Sequence, residues 1–154
     1  MRSARPWMVA TLVLALATAG CLSTGLGTPT ATPLPAGSVD FPGGPKEPPE
    51  RPANLNRSSV REYVKTFEYR LAYNRLWINE YTEVTLDCQV ESVTEQPWGY
   101  EAVVTCTGHS NTNVPEEATA TRGPHYDWFT QAFRYRVSET ATHRSQVEDR
   151  ETST

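Results

Sequence analysis

The chain has 154 residues, of which 21% are charged and 38% hydrophobic, and its formal net charge is −4 at pH 7. Eight of its 12 prolines fall between Pro29 and Pro52. We therefore expect one small domain beside an irregular segment, and not a protein of several domains. All 18 acidic residues follow Cys21, whereas two of the 14 basic residues precede it. The chain beyond this cysteine is therefore acidic and lacks the basic surface that a general nucleic-acid binder needs.

The N-terminus has the pattern of an export signal. Arg2 and Arg5 precede a largely apolar run of 13 residues, Trp7 to Ala19. A helix of that length reaches about 20 Å, whereas the hydrocarbon core of a bilayer is about 30 Å thick. The run is short for a membrane span and fits the apolar region of a signal peptide. The alternative is an uncut helix that anchors the protein.

Small residues and a cysteine follow this run. The segment Leu16–Cys21 reads LATAGC and resembles the lipobox of exported lipoproteins, although Thr18 stands where that motif usually has leucine. The resemblance implies a signal peptide over residues 1–20, lipid on the sulfur of Cys21, and a mature protein on the outer face of the cell membrane. A chance cysteine is the alternative. The preference for Arg (12) over Lys (two), with abundant Thr, also resembles small lipoproteins of salt-loving archaea.

Residues 21–54 are rich in Pro, Thr and Gly and contain few large apolar residues. Such a composition buries too little surface to offset the entropy of ordering the chain. The sequence predicts a disordered, semi-stiff stalk that holds the domain away from the membrane. Directly after it, Asn56-Arg57-Ser58 fits an N-glycosylation acceptor, a short pattern that also arises by chance.

Residues 59–79 contain neither Gly nor Pro and are predicted to form one long helix. Ser59 and Glu62 have the spacing of a capping box. One face of this helix collects the apolar residues expected to form the core: Val60, Tyr63, Val64, Phe67, Leu71 and Ile78. Asn74 lies in the same stripe, where we expect a core amide bonded to backbone, with a binding role as the alternative.

The opposite face of this helix is unusually aromatic for a solvated surface. It carries Tyr69, Tyr73, Leu76 and Trp77. Such a cluster indicates a covering segment of the chain, a partner protein or plain exposure, so these four residues are a candidate partner face.

Two strands are predicted next, over residues 82–95 and 100–110, because apolar and polar residues alternate in both. Gln96-Pro97-Trp98-Gly99 has turn chemistry. A hairpin folded about Pro97 pairs positions that sum to 194, which places Cys88 opposite Cys106. With Cys21 lipidated, these two cysteines form an even pair outside the cell and a disulfide is predicted. A metal site at Cys106 and His109 is the alternative, although they face opposite ways on a strand.

A polar loop is expected over residues 111–124 and a third strand region over 125–140. In that region Phe133, Tyr135 and Val137 face the core, and a bulge falls near Trp128. Residues 141–147 suit a short last strand, and 149–154 should fray. The domain of residues 55–148 is thus predicted to be α+β, with one long N-terminal helix on a three- or four-stranded antiparallel sheet. The order of elements resembles cystatin-like and nuclear-transport-factor-like topologies.

No catalytic motif is present in the sequence, and we expect no cofactor and no metal. The features favour a lipid-anchored binding or structural module with the membrane, and a protein or cell-surface component, as partners. The alternative is a small solute-binding or enzymatic domain that uses the concave sheet face, with Asn74, Arg75 and His125 as convergent polar groups.

The lipobox predicts that Cys21→Ser releases the protein from the membrane or leaves the precursor uncut. Mass spectrometry of the native protein should find Cys21 modified and residues 1–20 absent. An intact, unmodified N-terminus on membrane-bound protein would instead support the uncut helix.

Overall fold

The computed structural model describes residues 32–115 and 125–147. These residues form helix α1 (Arg57–Leu76) and strands β1 (Thr82–Gln96), β2 (Gly99–Thr112), β3 (Tyr126–Val137) and β4 (Thr142–Gln146). The strands make one antiparallel sheet in the order β1-β2-β3-β4, and α1 packs on one of its faces. The predicted α+β class, with a helix on an antiparallel sheet, is confirmed. The predicted signal peptide, Cys21 and the predicted frayed tail at 149–154 lie outside the described residues.

Helix α1 begins at a cap three residues before the predicted one. The Asn56 side-chain oxygen accepts hydrogen bonds from the N–H groups of Ser58 and Ser59, at 3.0 and 2.9 Å. The Ser59 hydroxyl oxygen in turn accepts from the Asn56 N–H at 3.0 Å. The capping box therefore joins Asn56 and Ser59, and the predicted pairing of Ser59 with Glu62 is wrong. Asparagine is among the strongest N-cap residues, so it starts the helix here.

The predicted core stripe of α1 is confirmed over its first four turns. Val60, Val64 and Leu71 are fully buried, and Tyr63 and Phe67 nearly so. Ile78 is not a core residue, because the helix ends at Leu76, Trp77 is extended, and Ile78 is 42% exposed. No helix in the described part of the chain is long and apolar enough to span a bilayer.

The β1–β2 hairpin has the predicted register through its first half. Cys88 pairs with Cys106 and Val90 with Val104, and the two cysteines form a disulfide with their Cα atoms 4.1 Å apart. Beyond Val90 a β-bulge shifts the register, so Val93 rather than Ser92 lies opposite Ala102. The predicted pairing of Ser92 with Ala102 is therefore wrong. The bulge turns Val93 toward the helix, where it is 4% exposed.

Strand β3 follows its predicted pattern. Phe133, Tyr135 and Val137 are buried, and Arg134 and Arg136 face solvent. The predicted bulge is also present, as the β2–β3 register shifts between Cys106 and Gly108, beside Trp128. Strand β4 completes the sheet by pairing with the second half of β3.

The segment before the helix is not the disordered stalk that its composition predicts. Residues 35–51, here called the strap, run beside β4, over α1 and back. Thr142 donates its N–H to the Gly37 carbonyl at 3.0 Å. The Phe41 ring lies edge-on to Phe67, with ring centroids 5.3 Å apart. The stalk prediction is thus wrong for residues 32–54, because a few anchoring side chains offset the ordering cost that the prolines already lower.

The strap is fixed to the helix by Asn74. Its amide nitrogen donates to the carbonyls of Pro42 and Lys46, at 2.9 and 2.7 Å, and its oxygen accepts from the Lys46 N–H at 3.1 Å. Asn74 is only 4% exposed. The prediction of a buried amide bonded to backbone is confirmed. Gly44 passes so close to Asn74 that a Cβ at that position would overlap the side chain.

The Cys88–Cys106 bridge should contribute about 3 kcal/mol to the free energy of unfolding, as is typical of a loop of this size. Denaturant unfolding with and without reductant measures the contribution. The Cys88→Ala, Cys106→Ala double variant serves as the control, since its midpoint should not respond to reductant. Equal midpoints for the native protein under both conditions would contradict the prediction.

Candidate functional site

A cleft of about 460 Å³ opens at the end of the sheet where both hairpin turns meet the start of the described chain. This volume lies within the range of small-ligand sites. Four separated parts of the sequence line it, so the cleft exists only in the folded domain. Its walls are formed by Pro33, Leu34, Leu55, the β1–β2 turn (Glu95–Tyr100) and the β3–β4 turn (Ser138–Thr140).

The β1–β2 turn places two aromatic side chains in this cleft. Gln96 and Gly99 pair directly, so Pro97 and Trp98 form a two-residue loop. Gly99 has φ +146°, a conformation that favours glycine. A Cβ on Gly99 would also overlap the Val137 carbonyl oxygen. The tight turn leaves Trp98 and Tyr100 half-buried at the cleft wall.

The rim of the cleft is acidic. The side chains of Glu95 and Glu139 are exposed, and no Lys or Arg is among the residues that line the cleft. Arg51 donates to the Glu139 backbone carbonyl at 2.9 Å, and the Ser138 hydroxyl oxygen accepts from the Ala141 N–H at 3.0 Å. The β3–β4 turn is thus fixed through its backbone, while the Glu139 carboxylate faces solvent.

A second polar cluster is buried between α1, β3 and β4. Glu68 is completely buried, and Arg144 donates to its two carboxylate oxygens from Nε and Nη2 at 2.6 and 2.8 Å. The Tyr135 hydroxyl donates to the same carboxylate at 2.5 Å. The guanidinium carbon of Arg144 lies 3.5 Å from the centroid of the Phe133 ring. Every ionic group of the cluster is thus paired, as burial of charge requires.

The pKa shifts in this cluster favour the protonation states that its hydrogen bonds require. Burial raises the pKa of the Tyr135 hydroxyl far above its usual range, and the negative charge of Glu68 raises it further. The hydroxyl therefore stays protonated and donates its hydrogen. Burial lowers the pKa of the Arg144 guanidinium, but its hydrogen bonds to Glu68 and the charge of Glu68 outweigh burial, so the net pKa is raised. The arrangement holds charges in place and presents no free group to a substrate.

Neither Glu68 nor Arg144 was predicted from the sequence to belong to a buried cluster. Glu68 follows Phe67 and stands four residues after Val64, so it falls inside the apolar stripe of α1. Arg144 is paired with Tyr135 across the strands and therefore shares its inward face. A carboxylate within the apolar stripe of α1 was a signal visible in the sequence. Identifying Arg144 as its partner, however, requires the register of β4.

The predicted partner face on α1 is largely occupied. The Lys46 ammonium of the strap lies 4.2 Å from the centroid of the Tyr73 ring and 5.8 Å from that of Tyr69. Leu76 is 3% exposed, and Trp77 is half-buried. Leu76 cannot contribute to a partner face without unfolding. Of the three explanations for the aromatic cluster (a covering segment, a partner protein or plain exposure), a covering segment of the chain applies to Tyr69 and Tyr73.

The polar groups expected to form a site on the sheet do not converge. Asn74 binds the strap, Arg75 is exposed, and His125 contacts Asn111 and Asp127 at 2.6 and 2.9 Å. The helix-facing side of the sheet is filled by core side chains. This geometry gives no support to a pocket built from Asn74, Arg75 and His125.

Two other predicted sites have clear positions. Asn56 is exposed at the start of α1, and its oxygen is occupied as the helix cap. Cys106 is oxidised in the disulfide and faces the core, so the alternative metal site with His109 is wrong. Within residues 32–115 and 125–147, no group of three or more His, Cys, Asp or Glu side chains is arranged to hold a metal ion.

No protein-family model matches the chain, and neither the curated proteins nor the solved structures contain a significant match to it.

Glu68→Gln should lower the free energy of unfolding by about 3–5 kcal/mol, because it leaves the Arg144 charge buried without a counter-charge. Replacing both residues, as Glu68→Met with Arg144→Met, should cost less than the single change, since no charge then remains buried. Chemical denaturation of the three proteins measures the difference.

The matched control is Glu101→Gln. Glu101 lies 3.6 Å from Arg134 in a pair that is partly exposed on both sides, so its loss should cost at most about 1 kcal/mol. If Glu68→Gln were no more damaging than Glu101→Gln, the buried pair would not be the constraint inferred for it.

Proposed function

We propose that the protein is a lipid-anchored binding module on the outer face of the cell membrane. The observation that carries this proposal is the acidic, aromatic cleft built by the two hairpin turns and residues 33–34. The lipobox-like segment ending at Cys21 supports the anchor. The composition that resembles lipoproteins of salt-loving archaea supports an extracytoplasmic setting.

The chemistry of the cleft selects its ligand class. Trp98 and Tyr100 offer aromatic surface, and Glu95 and Glu139 supply negative charge at the rim. A cation is attracted both to the face of an aromatic ring and to a carboxylate. The cleft is therefore suited to a cationic group on an apolar stem, such as an arginine or lysine side chain displayed by a partner protein.

The finer fold assignment is also a proposal. One helix followed by an antiparallel meander in the order β1-β2-β3-β4 supports a cystatin-like or nuclear-transport-factor-like topology. Because folds of this kind host binding, inhibition and catalysis alike, the proposed function rests on the cleft and not on the topology.

The cleft should prefer N-acetyl-arginine amide over N-acetyl-citrulline amide, which has nearly the same shape but no charge. NMR titration of the indole N–H resonances measures this, with the Trp98 signal assigned from Trp98→Phe. The arginine probe should shift the Trp98 resonance more strongly than the citrulline probe does. Glu95→Gln with Glu139→Gln should remove the difference between the probes.

The control pair is Glu83→Gln with Asp87→Gln, which removes the same number of charges at the far end of β1 and should leave the arginine titration unchanged. Equal responses to the charged and neutral probes, or shifts confined to the other tryptophans, would count against the cleft as the binding surface.

A further inference from the structure

The two edges of the sheet are protected very differently. At the β4 edge the strap adds a parallel bridge between Gly37 and Ala141, and His143 bonds the Pro35 carbonyl at 2.8 Å. At the β1 edge the cover comes from α1 and is confined to one half of the strand. Exposed strand edges are normally blocked because their free N–H and C=O groups pair readily with other chains.

The protected half of β1 is the half nearer the turn. Arg61 donates to the Val90 carbonyl at 2.9 Å, and Arg57 donates to the Val93 carbonyl at 2.6 Å. The bulge between Val90 and Ser92 distorts the same stretch, and bulges discourage further pairing. Residues 83–89 have no such device, and they contain no proline, lysine or arginine.

Alternation along an antiparallel strand shows which backbone groups are free. The Val90 carbonyl is bonded by a helix side chain and so points away from β2. Cys88 and Cys106 form a close pair, with Cα atoms 4.1 Å apart, as expected where the backbone groups do not bond across the pair. The N–H and C=O groups of Val84, Leu86 and Cys88 therefore also point outward. No residue of the described ranges hydrogen-bonds to them outside the sheet.

The side chains of this free edge differ between its two faces. On the outer face Glu83 and Asp87 are exposed, and their cross-strand neighbours, Asn111 and Thr107, are neutral. On the helix side Val84 and Leu86 are only partly buried. An added strand would thus meet carboxylates on the outer face. On the helix side it would meet the partly exposed Val84 and Leu86, and beside Asp87 and Gln89 the charged α1 side chains of Arg61, Glu62 and Lys65.

We propose that residues 83–89 of β1 dock an extended segment of a partner protein by strand addition, and that this segment alternates Lys or Arg with apolar residues. Main-chain hydrogen bonds would supply affinity and alternate side chains specificity. A second copy of this chain is a poorer fit, because antiparallel self-pairing gathers the Glu83 and Asp87 carboxylates of both copies on one face, and residues 83–89 contain no Lys or Arg to balance them. The surface lies away from the cleft, so this inference is independent of the proposed function.

The test uses a fluorescent peptide, Lys-Val-Thr-Val-Lys-Val-Thr, whose lysines are spaced like Glu83 and Asp87. Anisotropy titration should show saturable binding to the full-length protein, whereas the same peptide with glutamates in place of lysines should not bind. Glu83→Lys with Asp87→Lys should raise the Kd at least about fivefold. Asp40→Lys with Glu47→Lys makes the same change in net charge at two exposed positions of the strap and should leave the Kd within about twofold if charges act through close cross-strand pairs.

Amide hydrogen exchange of the native sequence gives a second readout that needs no variant. The N–H groups of Val84, Leu86 and Cys88 should exchange fast in the free protein and slow about tenfold or more when the peptide is bound. Exchange that the peptide leaves unchanged, or a Kd that Glu83→Lys with Asp87→Lys does not raise, would overturn the proposal. So would sedimentation showing a dimer that protects these amides without peptide, since a second copy would then be the occupant.

Discussion

The fold depends on a single carboxylate placed where a carboxylate is costly. Glu68 is inside the core, and an ionised carboxyl there is tolerated only if its negative charge and its lone pairs are both satisfied. Arg144 supplies the charge and two hydrogen bonds, and Tyr135 supplies a third. Because these partners lie on β3 and β4 while Glu68 lies on α1, the requirement links the helix to the last two strands. The five residues of β4, too few to hold an edge by pairing alone, are thereby fixed in one register.

The strap is ordered although its proline-rich composition predicts disorder. Proline disfavours helix and sheet, but it also restricts the backbone of the unfolded chain. Packing the strap therefore costs less conformational entropy. What the strap then needs is a small number of strong contacts. Phe41 supplies apolar burial against Phe67, and the three hydrogen bonds of Asn74 satisfy backbone groups that have no ladder of their own. The same amide therefore serves as a core residue of the helix and as the backbone partner of an irregular segment.

Local patterns predicted most of the fold, and long-range partners escaped prediction. The hairpin register was accessible because the turn at Pro97 and the two cysteines independently indicate the same alignment. The bulge after Val90 was not accessible, since the alternation of Ser92 and Val93 makes sense only against the helix. The end of α1 at Leu76 was not predicted, because Trp77 and Ile78 continue the run of apolar residues although Trp77 already has an extended backbone.

The candidate site escaped prediction for the same reason. Trp98 was recognised as part of a turn, but its neighbours in the cleft, Leu34 and Glu139, are distant in sequence and lie in segments without periodicity. The aromatic face of α1 was visible in the sequence, whereas the Lys46 that covers it comes from a segment expected to be disordered. The topology of the fold decides which loops lie next to each other, and the hydrophobic periodicity of one segment does not reveal that topology.

The attachment of the strap to the domain bears on the geometry of the proposed lipid anchor. If Cys21 carries lipid, as proposed, the first residues that contact the domain are Pro33 and Leu34 at the cleft wall, and not those near residue 54. The covalent chain from Cys21 to Pro33 can span at most about 40 Å. In the proposed anchored protein, the cleft wall at Pro33 therefore lies within about 40 Å of the lipidated sulfur. Any molecule that enters the cleft must either reside in the same membrane or approach its surface closely.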